Sequence, residues 1–258
     1  FCAVSYSMHI RGAETLNWIA CIISFIVTLG WFMLLRVADE HKDYEDDLKY
    51  RPYRPVQRGL VKLTELKNIG LVIFVIQVLL AILWEPKQLI LLAIVYFWFL
   101  LMCFEFGNPT WLKAHPTIYL LTHMVITPLI DGYGASCEWI QSGSTVLFPM
   151  FVFMLSSFCD GTTVEVGRKI RIPEDEEFGV DSYTHLWGIK RAIFTWLFCM
   201  TISFISTVCA GFQVGIGFII LAILSVLYIT AWILGLSFIK KPTRKKAKGF
   251  ETFSGIWM

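Results

Sequence analysis

The chain has 258 residues, of which 56% are hydrophobic and 16% aromatic, with a mean hydropathy of +0.64 and a formal net charge of +2. That composition excludes a globular domain with a water-facing surface and calls for an integral membrane protein. The seven cysteines form no C-x-x-C pair, and most (Cys21, Cys103, Cys159, Cys199, Cys209) sit inside apolar runs, so neither a disulfide framework nor a zinc site is expected. Nothing suggests nucleic-acid binding. The first residue is Phe1 and the last residues, 250–258, read as the beginning of another apolar segment, so further residues are expected beyond both ends.

Apolar segments of bilayer length fall at about 16–37, 69–84, 88–106, 116–133, 144–160, 189–210 and 214–239. Residues 1–10 and 250–258 read as parts of two more, and the short 69–84 run is expected to extend into Thr64–Asn68. A backbone exposed to lipid must satisfy its own hydrogen bonds, so each segment is predicted to be a helix. The expected fold is all-α: one polytopic transmembrane bundle of about nine helices covering residues 1–258.

Charge alternates between the connections. Residues 38–68, 161–191 and 240–248 carry the clusters of Lys and Arg, whereas those near 85–88, 134–143 and 211–213 hold only Lys87. Counting spans puts every basic connection on one face, together with 107–115, and the positive-inside rule makes that face cytoplasmic. The acid-rich stretches 39–47 and 160–181 then share a side and are expected to line one site.

The first stretch, Asp39-Glu40-His41-Lys42-Asp43-Tyr44-Glu45-Asp46-Asp47, follows directly on an apolar run. Asp39, Asp43 and Asp47 are four apart, hence on one helical face, where they repel unless a cation lies between them. Immediately after come Lys49, Arg51, Arg54 and Arg58, with Pro52 and Pro55 stiffening the backbone between them. Carboxylates for a divalent cation and guanidiniums for phosphate oxygens are the parts of a magnesium–diphosphate site.

Asp39-Glu40-x-x-Asp43-x-x-x-Asp47 resembles the first aspartate-rich motif, N-D-x-x-D-x-x-x-D, of the UbiA superfamily of intramembrane prenyltransferases. The segment from Pro52 through Val61 is similar to that family's continuation. Asp39 stands in place of the usual Asn and Glu40 in place of Asp, both changes keeping oxygen ligands. The resemblance implies nine helices around a central cavity, capped by two acidic motifs on the cytoplasmic side.

The second motif departs further. Gly179 and Ser182 match its tail and Asp175 its nearer acid, but its other acid would fall on Arg171, so Glu165 or Asp160 is expected to substitute from one or two turns earlier. Asp160-Gly161 also resembles the opening of the CDP-alcohol phosphotransferase signature, yet Val164 and Glu165 replace its Ala and Arg, and its closing aspartates are missing.

The resemblance implies a Mg2+-dependent enzyme that ionises an isoprenyl diphosphate and transfers the prenyl group to an acceptor, expected to be aromatic, in the bilayer. Catalytic roles fall to Asp39, Asp43, Asp47 and Asp175; metal binding to Asp39, Asp43, Asp47, Glu165 and Asp175; diphosphate binding to Arg54, Arg58, Lys169 and Arg171. Two alternatives stay open: a UbiA-type terpene cyclase needing no acceptor, and a non-enzymatic transporter or scaffold. His123 within a span is expected to bond a neighbouring helix, and Glu105 and Asp131 to be interfacial.

Overall fold

The computed structural model describes residues 1–145 and 148–258, which form thirteen α-helices and no strand. In chain order these are α1 (Cys2–Ile10), α2 (Trp18–Lys42), α3 (Tyr44–Tyr50), α4 (Leu63–Trp84), α5 (Gln88–Cys103), α6 (Pro109–Ala114), α7 (Pro116–Met124), α8 (Ile126–Trp139), α9 (Phe148–Gly167), α10 (Tyr183–Trp187), α11 (Ile189–Gln213), α12 (Gly217–Lys240) and α13 (Arg244–Trp257). Short 3-10 turns lie at Glu105–Gly107 and Pro173–Asp175. The helices group into two compact units, residues 1–115 with 129–145 and residues 116–128 with 148–258.

In the first unit α2 is the central helix, packed by α4, α5 and the short α1. Asn17 starts it by accepting the Ala20 N–H at 3.0 Å. Of its most apolar stretch 44% is buried, against 11% for α4, so α4 turns most of its surface to lipid. In hydrocarbon, water drives no helix association, and contact depends on close packing and internal hydrogen bonds. Gly30 supplies the first: a Cβ there would sit 2.9 Å from Ile73 Cγ2 and 3.0 Å from Gln77 Nε2. The close approach lets Gln77 Nε2 donate to Val27 O at 3.0 Å, while Tyr96 donates to Gln77 Oε1 and packs at a tilt against the fully buried Trp31, their ring centres 4.4 Å apart.

The second unit is built on α11, which lies against α9, α10 and α12, with α13 packed on α9 and α12. Trp196 of α11 is fully buried, meets the Phe250 ring edge-on at 4.9 Å and donates Nε1–H to Ser254 Oγ at 2.9 Å. Gly167 makes room for this: a Cβ would lie 2.3 Å from Ser254 Oγ and 3.1 Å from Trp196 Nε1. The basic residues after α12 continue into α13, where Lys246 Nζ donates to the helix-end carbonyl of Ser237 at 2.7 Å.

Two expectations change and a third is met. The segment predicted as one helix over 116–133 is two, α7 and α8, separated at Val125. Pro128 has no N–H to give Met124 O, and the Thr127 hydroxyl takes that carbonyl instead at 2.8 Å. The segment predicted over 144–160 includes residues 146–147, which lie outside the described residues; its helix is described from Phe148 and runs on to Gly167. Asp160 and Glu165 are therefore on a helix, not in a connection, because Thr162, Thr163 and Val166 continue the buried face. The helix expected to extend ahead of residue 69 begins at Leu63, where Glu65 accepts the Lys62 N–H at 2.9 Å.

Candidate active site

α2 does not run unbroken through the acidic stretch. Asp43, at φ −92° and ψ 7°, closes α2 and opens α3, and this step changes the phase of the carboxylates. Asp39 is exposed and Asp43 half-buried, whereas Glu40 and Asp47 are 5% and 3% exposed. Two buried carboxylates need a cation. Arg54 provides it, with Nη2 3.1 Å from Glu40 Oε1 and Nη1 paired with Asp47 Oδ2. Arg51 reaches Asp47 Oδ1 at 3.3 Å, and Arg36 joins Arg54 on Glu40 Oε1. Glu40 Oε2 is buried and has no hydrogen-bond partner.

The loop presenting Arg54 is a chain of tight turns. Arg54 N–H bonds Arg51 O at 3.1 Å, Arg58 N–H bonds Arg54 O at 3.0 Å, and Leu60 N–H bonds Pro55 O at 3.0 Å. Val56, 8% exposed, anchors it, while Arg58 points into the open. Gln57 keeps both side-chain amide atoms buried with no hydrogen-bond partner, a donor and an acceptor held ready beside the arginine.

Lys42, the last residue of α2, pairs with Glu105, which is buried just past the end of α5. Glu105 and Phe106 adopt left-handed conformations (φ 48° and 51°) ahead of Gly107 (φ 77°), a costly arrangement for two residues with side chains. Burial pushes the Asp43 carboxyl above the usual aspartate range, and the neighbouring Asp47 adds to that; Lys42, Arg51 and Arg54 pull against it.

In the second unit the acids are individually matched. Glu165 receives Arg168 Nε at 2.6 Å and Lys169 Nζ at 2.8 Å from the next turn. Lys169 also lies over the Tyr183 ring, 5.6 Å from its centre. Asp175 is bound by Arg244, whose Nε is 2.8 Å from Oδ2, and that hydrogen bond holds its carboxyl below the usual range. Arg171 contacts the Asp175 carbonyl at 3.4 Å and Glu177 at 3.5 Å. Ser182 caps α10 through the His185 N–H at 3.0 Å and donates to Glu176 at 2.5 Å. Asp160 lies within a buried set of Ser156, Ser203 and Trp257. His123 is buried, stacked 4.0 Å from the Tyr119 ring, with Nδ1 2.9 Å from the Tyr119 carbonyl of its own helix.

Among the described residues no three His, Cys, Asp or Glu side chains converge as a ready metal cage. The donors of the first unit nevertheless suit magnesium: they are hard carboxylate oxygens, two of them buried, and Glu40 Oε2 lacks any donor. Glu40 was legible as the counterpart of the motif's Asp, yet the four-residue ladder drew attention to Asp39. Glu40 and Asp47 are the two acids of the stretch that Arg54 brings together. Glu105 carried no sequence signal, since its link to Lys42 is purely tertiary.

The backbone is similar to that of a protein described as the apo structure of a UbiA homolog from Aeropyrum pernix K1. The TM-score is 0.71 at 16% identity, over 99% of this chain and 93% of that one. No curated relative matches the chain. Among the described residues four helices (α2, α4, α11 and α12) are long and apolar enough to cross a membrane. A model of the UbiA prenyltransferase family matches residues 1–256, nearly the whole sequence, and the chain belongs to that family of integral membrane proteins.

Proposed function

We propose that the protein is a magnesium-dependent prenyltransferase that ionises an isoprenyl diphosphate and passes the prenyl group to an aromatic acceptor within the bilayer. The observation that carries this reading is the buried pair Glu40 and Asp47 with Arg54 between them, on a segment with the spacing of the family's first motif. In the first unit Glu40, Asp43 and Asp47, flanked by Asp39, would hold the metal. In the second, Glu165 and Asp175 are the assigned carboxylates. Bound there, magnesium would neutralise the charge that grows on the departing diphosphate.

The protein's own residues supply the rest. Arg54, Arg58, Lys169 and Arg171 would offer charge-assisted donors to phosphate oxygens, which stabilise the growing charge of the leaving group. The buried positions of Glu40 and Asp47 strengthen the contacts made there. Aromatic side chains in the spans give ring faces on which an allylic cation is stabilised.

One observation favours a terpene cyclase as the second reading. Arg171 occupies a position that is acidic in the family's second motif, and the nearest carboxylates, Glu165 and Asp175, are each held by cations. Diphosphate release by the purified protein in detergent separates the readings, using magnesium with geranyl, farnesyl or geranylgeranyl diphosphate and Asp43→Ala as control. Release only with an aromatic acceptor supports the transferase. Release of a cyclic product with no acceptor supports the cyclase. Absence of release under both conditions, or undiminished release by Asp43→Ala, would leave neither standing.

A further inference from the structure

Arg54 occupies the very oxygens that a metal-binding role asks of Glu40 and Asp47. Its two terminal nitrogens divide between them, Nη2 at 3.1 Å from Glu40 Oε1 and Nη1 on Asp47 Oδ2, and its side chain is only 15% exposed. A dication placed on these oxygens would repel the Arg54 guanidinium that holds both acids, because like charges a few ångströms apart in a partly dry site repel. We propose that Arg54 is a resident counter-cation for Glu40 and Asp47 that yields to the divalent ion and turns to the diphosphate, so that metal and diphosphate bind together and each weakly alone. The inference rests on the magnesium–diphosphate reading above and adds an order of events to it.

The surroundings suit such an exchange. Glu40 Oε2 has no partner, so an incoming cation finds one oxygen available before Arg54 lets go of the other. Arg51 stays on Asp47 Oδ1 at 3.3 Å and Arg36 on Glu40, so the acids are not stranded while the guanidinium moves. Arg54 itself is partly buried but lies between the exposed Tyr53 and Pro55, while Val56 anchors the loop a short distance on. The released guanidinium would join a stretch that already holds Arg58 and the unpartnered amide of Gln57, all donors for phosphate oxygens. In the free protein Arg54, with Arg36 and Arg51 beside it, balances the two buried carboxylates and keeps the site formed until substrate arrives.

A purely structural clamp makes the opposite prediction. If Arg54 only holds the acids in place, its removal loosens the site and metal affinity falls. If Arg54 competes with the metal, its removal raises metal affinity. The experiment is Mn2+ binding to the full chain in detergent, followed by electron paramagnetic resonance, with and without inorganic pyrophosphate. Wild type, Arg54→Gln and Arg54→Lys are compared as folded, monodisperse fractions; lysine keeps the charge but cannot span both acids, so it stands in if the glutamine variant does not fold. Both variants are expected to bind Mn2+ about 5-fold or more tightly than wild type without pyrophosphate, and to gain less when it is added. Equal or weaker Mn2+ binding by the variants, with wild-type binding intact, would overturn the exchange and leave the magnesium reading standing. No Mn2+ binding by wild type under either condition would remove that reading and the exchange with it.

Discussion

Trp257 Nε1 donates to Asp160 Oδ1 at 3.1 Å, so the penultimate residue of the chain is tied to a carboxylate in the middle of α9. Ser203 Oγ reaches the same oxygen at 2.5 Å, and Ser156 Oγ, itself bonded to Thr207 Oγ1 at 2.6 Å, reaches Oδ2 at 3.2 Å. Asp160 thereby joins α9, α11 and α13 through a polar set in which Trp257 Nε1 also donates to Ser203 Oγ at 3.0 Å. Asp160→Ala is expected to cost about 2 kcal/mol of stability, since the buried Ser203 hydroxyl loses its charged acceptor and Trp257 and Ser156 each lose one of two partners, and Asp160→Asn roughly half that. Unfolding in mixed micelles measures both. If Asp160→Ala were as stable as wild type, the carboxylate would not be structural and would return to the candidates for metal binding.

Much of the helical layout was legible because it depends on the length and continuity of apolar runs, which hydrocarbon thickness dictates. α4 began where composition suggested, inside Thr64–Asn68 or just before it, since Glu65 could cap it. Two boundaries were misread for definite reasons. Hydropathy takes no account of backbone N–H groups, so 116–133 read as one helix although Pro128 lacks the hydrogen needed by Met124 O. Hydropathy also treats any carboxylate as a way out of the bilayer, so Asp160 was taken as a helix end, whereas Ser203 and Trp257 keep it inside. At the acidic stretch, residue types and spacing identified the segment, but the step at Asp43 decides which acid shares Asp47's burial. The pairing of Arg54 with both Glu40 and Asp47 depends on the turns from Arg51 to Leu60, which sequence spacing does not dictate.

The break between α7 and α8 yields a test of how an intramembrane carbonyl is satisfied. Thr127 Oγ1 takes Met124 O at 2.8 Å, the carbonyl that Pro128 cannot serve. Thr127→Val keeps the side-chain shape but removes the hydroxyl, and is expected to destabilise by about 1 kcal/mol. In a Pro128→Ala background the residue at 128 has an N–H of its own, and the same substitution is expected to cost little. A double-mutant cycle on unfolding free energies checks this. Equal costs in both backgrounds would mean that the Thr127 hydroxyl is not replacing the missing proline hydrogen.

Gln57 has two buried amide atoms without partners, so the folded protein already bears the cost of hiding them. Gln57→Leu is therefore expected to leave stability unchanged or to raise it by up to about 1 kcal/mol. If the amide is kept to meet a phosphate oxygen, the same variant will raise the KM for the isoprenyl diphosphate about 10-fold while its melting temperature does not fall. A parallel loss of melting temperature and affinity would make Gln57 a packing residue only.

Asp39 and Glu40 are adjacent carboxylates with opposite surroundings: Asp39 is exposed, while Glu40 is buried against Arg36 and Arg54. Asp39→Asn restores the residue type found in the family's motif and keeps a side-chain oxygen, so diphosphate release is expected to stay within about 3-fold of wild type. Glu40→Gln keeps the size and hydrogen-bonding capacity but removes the charge that both Arg54 and a divalent ion require, and its release rate is expected to fall about 100-fold or more. Glu40→Asp tests reach: the charge remains but is drawn back by one methylene toward α2, and an intermediate rate is expected. The three variants are compared at saturating substrate over a magnesium titration, which separates weaker metal binding from slower chemistry. Recovery of Glu40→Gln at high magnesium would assign Glu40 to holding the ion. A rate that stays low at every magnesium concentration would assign it to shaping the charge around the leaving group. If Asp39→Asn proved the more damaging change, the exposed acid would be the ligand and the burial of Glu40 would serve the fold alone.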